Sequence, residues 1–165
     1  MISDTGALMG ILAPQGRLLN KSKGAGFVAR NWLQNDGDVR KQSQAALGWK
    51  LTFGDMEWFH IPGKKASRAA TDCHRNQVVI ATFDFMSRGD CLILDAAVFA
   101  ATGSIDIVSD AGRQRVSTAQ SYSGNRLWSA VTVTAAPALD LAQKMKQLTV
   151  LLNSSGLGPL NAPVP

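Results

Sequence analysis

Apolar and polar positions change over in short blocks along most of this chain, which favours short strands and helices over long ones. Residues 7–12 and 17–19 are two largely apolar runs on either side of Pro14, Gln15 and Gly16. Proline followed by glycine across one residue is a turn signal, so the pattern predicts a β-hairpin. After a glycine-containing loop over residues 21–26, Phe27, Val28, Trp32 and Leu33 fall at helical spacing on one face. Asn35, Asp36, Gly37 and Asp38 end that helix. Gly37 suits a left-handed terminating residue, and Asp38 fits the cap of a second, polar helix over residues 39–47 that Gly48 closes.

Residues 49–53 and 56–61 are β-rich runs around Gly54 and Asp55, a second hairpin. A basic turn over residues 62–65 leads to Ser67, which caps a short helix reaching His74 or Arg75. Residues 77–83 form the strongest strand of the chain, nearly continuous in apolar side chains as a strand covered on both faces is. A second such strand covers residues 91–95. A short helix over residues 96–102 stops at Gly103, a strand follows over 105–108, and a turn at 110–112 leads into residues 113–119. This order predicts a mixed α/β (α+β) layered domain with β-hairpins and short helices.

The last stretch differs. Leu141, Met145, Leu148 and Leu152 recur at three- and four-residue spacing, which predicts a helix over residues 135–152 with a narrow apolar stripe. Residues 153–165 hold two glycines and three prolines and read as a flexible tail. The chain therefore divides into a domain over residues 1–134 and a helix with its tail over 135–165.

Composition narrows the class. The chain has 165 residues, enough for one domain that buries a core without staples. Hydrophobic residues at 45% and charged ones at 18% exclude wholesale disorder. No apolar run approaches the roughly 20 residues of a membrane span, and no basic segment precedes an apolar core as in a secretory signal. The reading is a soluble chain with no signal peptide. A net charge of +5 favours polyanions, DNA first among them. The cations are dispersed, in pairs such as Lys21 and Lys23 or Arg40 and Lys41. The candidate DNA contacts are Lys64, Lys65, Arg68, Arg113, Arg115 and Arg126, with Trp128 as a base-stacking partner for Arg126.

The remaining candidates are weaker. Cys73 and Cys91 match no zinc spacing. They are either a disulfide pair on neighbouring strands or two small buried side chains. His60 lies in an aromatic strand and reads as packing. His74 adjoins Cys73, but neighbours on a helix diverge by about 100° and do not form a dyad. Asp36 and Asp38 lack the twelfth-position glutamate of a calcium loop and read as caps. Gly24, Ala25 and Gly26 open a helix where backbone amides can meet an anion, without the lysine of a phosphate loop. Trp32 and Trp58 fit the core pattern, and Trp49 and Trp128 lie near element edges.

Several of these stretches, taken in order, resemble the C-terminal soluble region of ComEC-type DNA-uptake channel proteins. Ile2 to Gly6 with Gly10, Gly16 and Arg17 is similar to the strand that opens that region. Phe27 to Asp38, followed by Gln42, Ala45 and Ala46, is the nearest stretch. Cys73, Val78, Val79, Cys91, Leu94, Asp95, Thr102 and Gly103 resemble its later strands, and Arg126, Leu127 and Trp128 an Arg-Pro-Trp ending. The similarity covers about residues 1–130.

The resemblance implies a degenerate metallo-β-lactamase-like domain and a role in uptake of transforming DNA. It implies association with the inner membrane and, as partners, DNA and the membrane channel portion of the machinery. It also implies a metal site rich in histidine and aspartate, from which this chain departs. It has two histidines, His60 and His74, and no His-x-His-x-Asp-His run. Thr82 to Ser87 stand where a family member with an intact site has a His-His-Gly-Ser turn. No catalytic residue, metal ligand or cofactor carries over. The expectation is a non-catalytic accessory or truncated remnant. The alternatives are a metal-dependent DNA hydrolase active only with the missing portion, or a docking module using the stripe of residues 135–152.

Overall fold

The computed structural model describes residues 1–46, 51–53, 56–63, 73–110, 112–124 and 135–154. They form a mixed α/β structure of hairpins, a small sheet with three parallel strands and short helices. The chain opens with β1 (Gly10–Ala13) and β2 (Gly16–Leu19), an antiparallel hairpin closed by the pair Ala13 and Gly16. Pro14 and Gln15 thus make the two-residue turn.

Next comes α1 (Gly26–Asn35), which buries Ala29, Trp32 and Leu33. Phe27, expected on that face, is 77% exposed. It lies two and five residues from Ala29 and Trp32, and at 100° per residue that turns it to the outside. Gly37 ends the helix at φ 71°. The amide of Asp38 bonds Leu33 O at 2.8 Å and that of Gly37 bonds Gln34 O at 3.0 Å, a Schellman closure. The second helix is shorter than expected, α2 (Gln42–Ala45), and Lys41 rather than Asp38 is its N-cap. Asp38 is engaged by Arg40 instead, and Ala46 is already extended, bridging Leu19.

The main sheet runs β3 (Leu51–Phe53), β4 (Met56–Ile61), β5 (Gln77–Ala81) and β6 (Leu92–Leu94) in that order. The first pair is antiparallel; β4, β5 and β6 are parallel. Trp58, Val78 and Leu92 form one cross-strand row, and Phe59, Val79 and Ile93 form the next on the opposite face. The first face enters the main core with Met9, Phe99, Ile105 and Leu148. The second enters a smaller core with Cys73 and Phe85. Two covered faces explain the continuous apolar run of β5, since alternation is needed only where one face is wet. The helix expected to reach His74 or Arg75 does not do so: residues 73–74 are irregular and 75–76 a turn.

Asp95 caps α3 (Ala96–Thr102), accepting from the amide of Val98 at 3.2 Å. β7 (Ile105–Asp110) and β8 (Arg113–Thr118) form the last hairpin, followed by α4 (Ala119–Ser123). Finally α5 (Ala135–Ser154) packs on β8 and β6. Its stripe is used within the chain: Leu148 and Leu152 are fully buried in the main core, and Leu141 and Met145 pack against it. No described helix is long and apolar enough to cross a membrane.

Candidate nucleic-acid interface

Asp36, Asp38, Asp95 and His60 are each committed to structure. Asp36 follows α1 and grips Arg17 of β2 in a two-pronged ion pair, Nε to Oδ2 at 2.5 Å and the second nitrogen to Oδ1 at 3.0 Å. Arg17 also lies over the Trp32 ring, 5.5 Å from its centroid. Asp38 binds Arg40 through its guanidinium and its backbone amide, and these bonds hold the Asp38 carboxyl down to about 2. Arg40 in turn donates to Arg17 O at 3.1 Å. The Asn-Asp-Gly-Asp run is therefore a clamp between α1 and the first hairpin.

Ligand sites in open parallel sheets lie beyond the carboxyl ends of the strands. Here that edge holds Asp95, whose second oxygen accepts from the Phe85 amide at 3.4 Å. Phe85 is buried and meets Phe83 edge-on, with ring centroids 6.1 Å apart. Cys73 and Cys91 are disulfide-bonded with Cα atoms 5.4 Å apart, so Cys73 has no thiol to pair with His74.

His60 faces the main core from β4. Its Nε2 lies 3.0 Å from Gly6 O, which can only accept, so Nε2 carries the proton. Nδ1 then accepts from Asn20 Nδ2 at 3.1 Å, while Asn20 Oδ1 takes the Met9 amide. Burial pushes the His60 pKa down, Gly6 O opposes that, and Lys21 adds to it. Among the described residues no group of three or more His, Cys, Asp or Glu side chains is placed to hold a metal ion. With Asp95 and both His60 nitrogens already engaged, the described residues do not fit the metal pair of a metallo-β-lactamase.

The cationic surface is different. Arg113 and Arg115 are exposed at alternate positions of β8, flanking buried Gln114. Lys64, Lys65, Arg68, Arg126 and Trp128 lie outside the described residues. So do Trp49, Ser67, the Gly54 and Asp55 turn and the tail from residue 155. Trp32 and Trp58 are buried.

A second basic area was not foreseen. A groove of about 700 Å³ between α1 and α2 is lined by Arg30, Gln34, Asp38, Arg40, Lys41 and Gln42 among others; Asp38 neutralises Arg40, which leaves Arg30 and Lys41 as its cations. Gln42, the first residue of α2, ties that helix to the loop before α1, donating to Gly24 O at 2.7 Å and Lys21 O at 3.2 Å. Beside Arg30, three residues earlier on the same exposed face, stands Phe27. The signal was present in the sequence: Phe27, Arg30 and Gln34 repeat at helical spacing on the face opposite Ala29 and Leu33.

Comparison with protein-family descriptions, with curated proteins and with solved structures yields no match in any of the three.

Proposed function

We propose that this chain is a non-catalytic domain that contacts single-stranded DNA in a natural-transformation apparatus of the ComEC type. The family part of the proposal rests on the ordered residue resemblance over about residues 1–130. The contact itself rests on one observation: an aromatic ring 77% exposed, Phe27, shares the outer face of α1 with Arg30 beside a cationic groove. Sequence-tolerant binding of single strands uses this pairing of backbone-tracking cations with stacking rings. Arg113 and Arg115 supply further phosphate contacts. In this reading the domain lies against the membrane channel portion and guides the strand without cutting it.

The test is a fluorescence titration of a single-stranded oligonucleotide across salt concentrations. Affinity falls log-linearly with salt, with a slope near 0.7 per neutralised phosphate. Arg30→Gln lowers that slope by about 0.7. Phe27→Ala leaves the slope unchanged but weakens binding by about 1–3 kcal/mol for a stacked base. No detectable binding at about 50 mM salt, or an unchanged affinity in Phe27→Ala, rejects the proposal.

A further inference from the structure

The corner at Cys73 and Cys91 carries more chemistry than a cross-link needs. Cys73 precedes β5 and Cys91 precedes β6, and their bond ties together the amino ends of two paired strands. After β5, residues 82–91 return as a strap to the start of β6. Phe85 pins the middle of that strap in the smaller core with Cys73, and its amide bonds Asp95. The disulfide closes the far end. There Gly89 lies so near Cys73 that an added methyl would overlap the Cys73 carbonyl.

The two sulfurs sit in different surroundings. Cys73 is 6% exposed, whereas Cys91 is half-buried and packs on the outside of the same core. The Ser87 hydroxyl lies 2.9 Å from Cys73 Sγ. A disulfide sulfur has no proton, so in this contact Ser87 donates and the sulfur accepts. Ser87 Oγ in turn accepts from the Gly89 amide at 3.2 Å. Amide, hydroxyl and sulfur form a short chain of hydrogen bonds with its donor end at Cys73, and such chains polarise one another.

Thiol–disulfide exchange needs an accessible sulfur to attack and a stabilised thiolate to leave. The attacking thiolate comes in line with the bond, so burial closes the path to Cys73 and leaves the path to Cys91. Burial of Cys73 by itself disfavours a charge there. The Ser87 hydroxyl offsets that, because a hydrogen bond to a charged atom is worth more than one to a neutral atom.

We infer that this disulfide is an exchange site for a small thiol, with Cys91 the sulfur attacked, Cys73 the sulfur that leaves and Ser87 the group that holds the departing thiolate. A small thiol suits a sulfur that is only half-buried at the end of a closed strap. As its sulfur bonds to Cys91 Sγ, the Cys73–Cys91 bond breaks and its electron pair goes to Cys73 Sγ. The products are a mixed disulfide on Cys91 and a Cys73 thiolate, which takes a proton from water. A second thiolate attacks the small molecule's sulfur, and Cys91 leaves as a thiolate that is protonated in turn. Two small thiols are thereby oxidised to their disulfide as the protein's disulfide is reduced. The strap then loses its tie beside β6 and hangs on Phe85, so the thiol content of the surroundings sets how firmly residues 82–91 cover this face of the sheet.

Reduced glutathione tests this on the oxidised full chain, with acid quenching, alkylation of free thiols by N-ethylmaleimide and peptide mapping by mass spectrometry. The expected intermediate carries glutathione on Cys91 and N-ethylmaleimide on Cys73. Ser87→Ala is expected to react about tenfold more slowly, and Ser87→Thr to keep most of the parent rate. All three are expected to react alike in concentrated urea, where the strap is unfolded. Glutathione found on Cys73 overturns the inference, and that result needs only the parent chain. So does a parent rate in Ser87→Ala under native conditions. A rate independent of glutathione concentration also overturns it, because the bond is then reached only through global unfolding.

Discussion

Asp36→Ala isolates what the Asn-Asp-Gly-Asp run contributes. The Arg17 and Asp36 side chains are 8% and 15% exposed, and two hydrogen bonds join them. Removing the carboxylate leaves a guanidinium pressed on Trp32 with water largely excluded. Breaking one partner of a buried pair costs about 3–5 kcal/mol. The small opening to solvent at Asp36 places this case at the lower end, near 3 kcal/mol. With a urea m-value of about 2 kcal/mol per molar, the midpoint falls by about 1.5 M. Urea denaturation followed by tryptophan fluorescence reads this directly, because Trp32 lies beneath Arg17. Two comparisons separate the clamp from a general surface effect. Asp38→Ala costs less, since Arg40 is 29% exposed and can turn to water. Arg17→Met combined with Asp36→Leu recovers much of the loss, because an apolar pair leaves no unpaired charge. If Asp36→Ala stays within about 0.5 kcal/mol of the parent, or Asp38→Ala costs as much, the clamp is not what holds α1 to the first hairpin.

Leu148→Ala empties a fully buried site where α5 meets the main core; a loss of about 2–5 kcal/mol is expected, and thermal denaturation showing less than about 1 kcal/mol would detach α5 from that core. Reducing the Cys73–Cys91 bond, which spans 18 residues, should cost about 3 kcal/mol, read as a lower melting temperature in reductant that a Cys91→Ser variant reproduces without it. Gly89→Ala should destabilise the same corner, because an added methyl would overlap the Cys73 carbonyl; an unchanged melting temperature would contradict that packing. For His60 the folded pKa lies below its ordinary value, so the unfolded chain takes up the proton first as pH falls. Stability from this group is full above about pH 6.5 and declines below it until the folded pKa is passed. Urea midpoints should fall from pH 7 to 5 in the parent and fall less steeply in His60→Gln, where the buried Met1 ammonium, held down to about 6 by desolvation, still contributes; parallel curves would refute the assignment.

Sequence alone was enough for elements whose cause is local. The hairpin turn from Pro14 to Gly16, the closure of α1 at Gly37 and the stop of α3 at Gly103 each depend on groups within a few residues. The apolar run of β5 required cover on both faces, and the leucine stripe of α5 announced a buried face. What covers them was not local. That stripe suits a partner helix as well as this chain's own sheet, and only packing on β8 and β6 decided between the two. Asp38 illustrates the same limit: its spacing fits a cap, yet Arg40 two residues on offers a charged partner, and the carboxylate goes there. Phe27 counts as apolar in any pattern, but the positions of Ala29 and Trp32 turn it outward, and that exposure is what makes it a candidate ring for a nucleic-acid base. The groove of Arg30 and Lys41 and the pairing of Arg17 with Asp36 both join residues distant in sequence. Charge and hydropathy fix which side chains are available to such sites; chain closure in three dimensions fixes which of them meet.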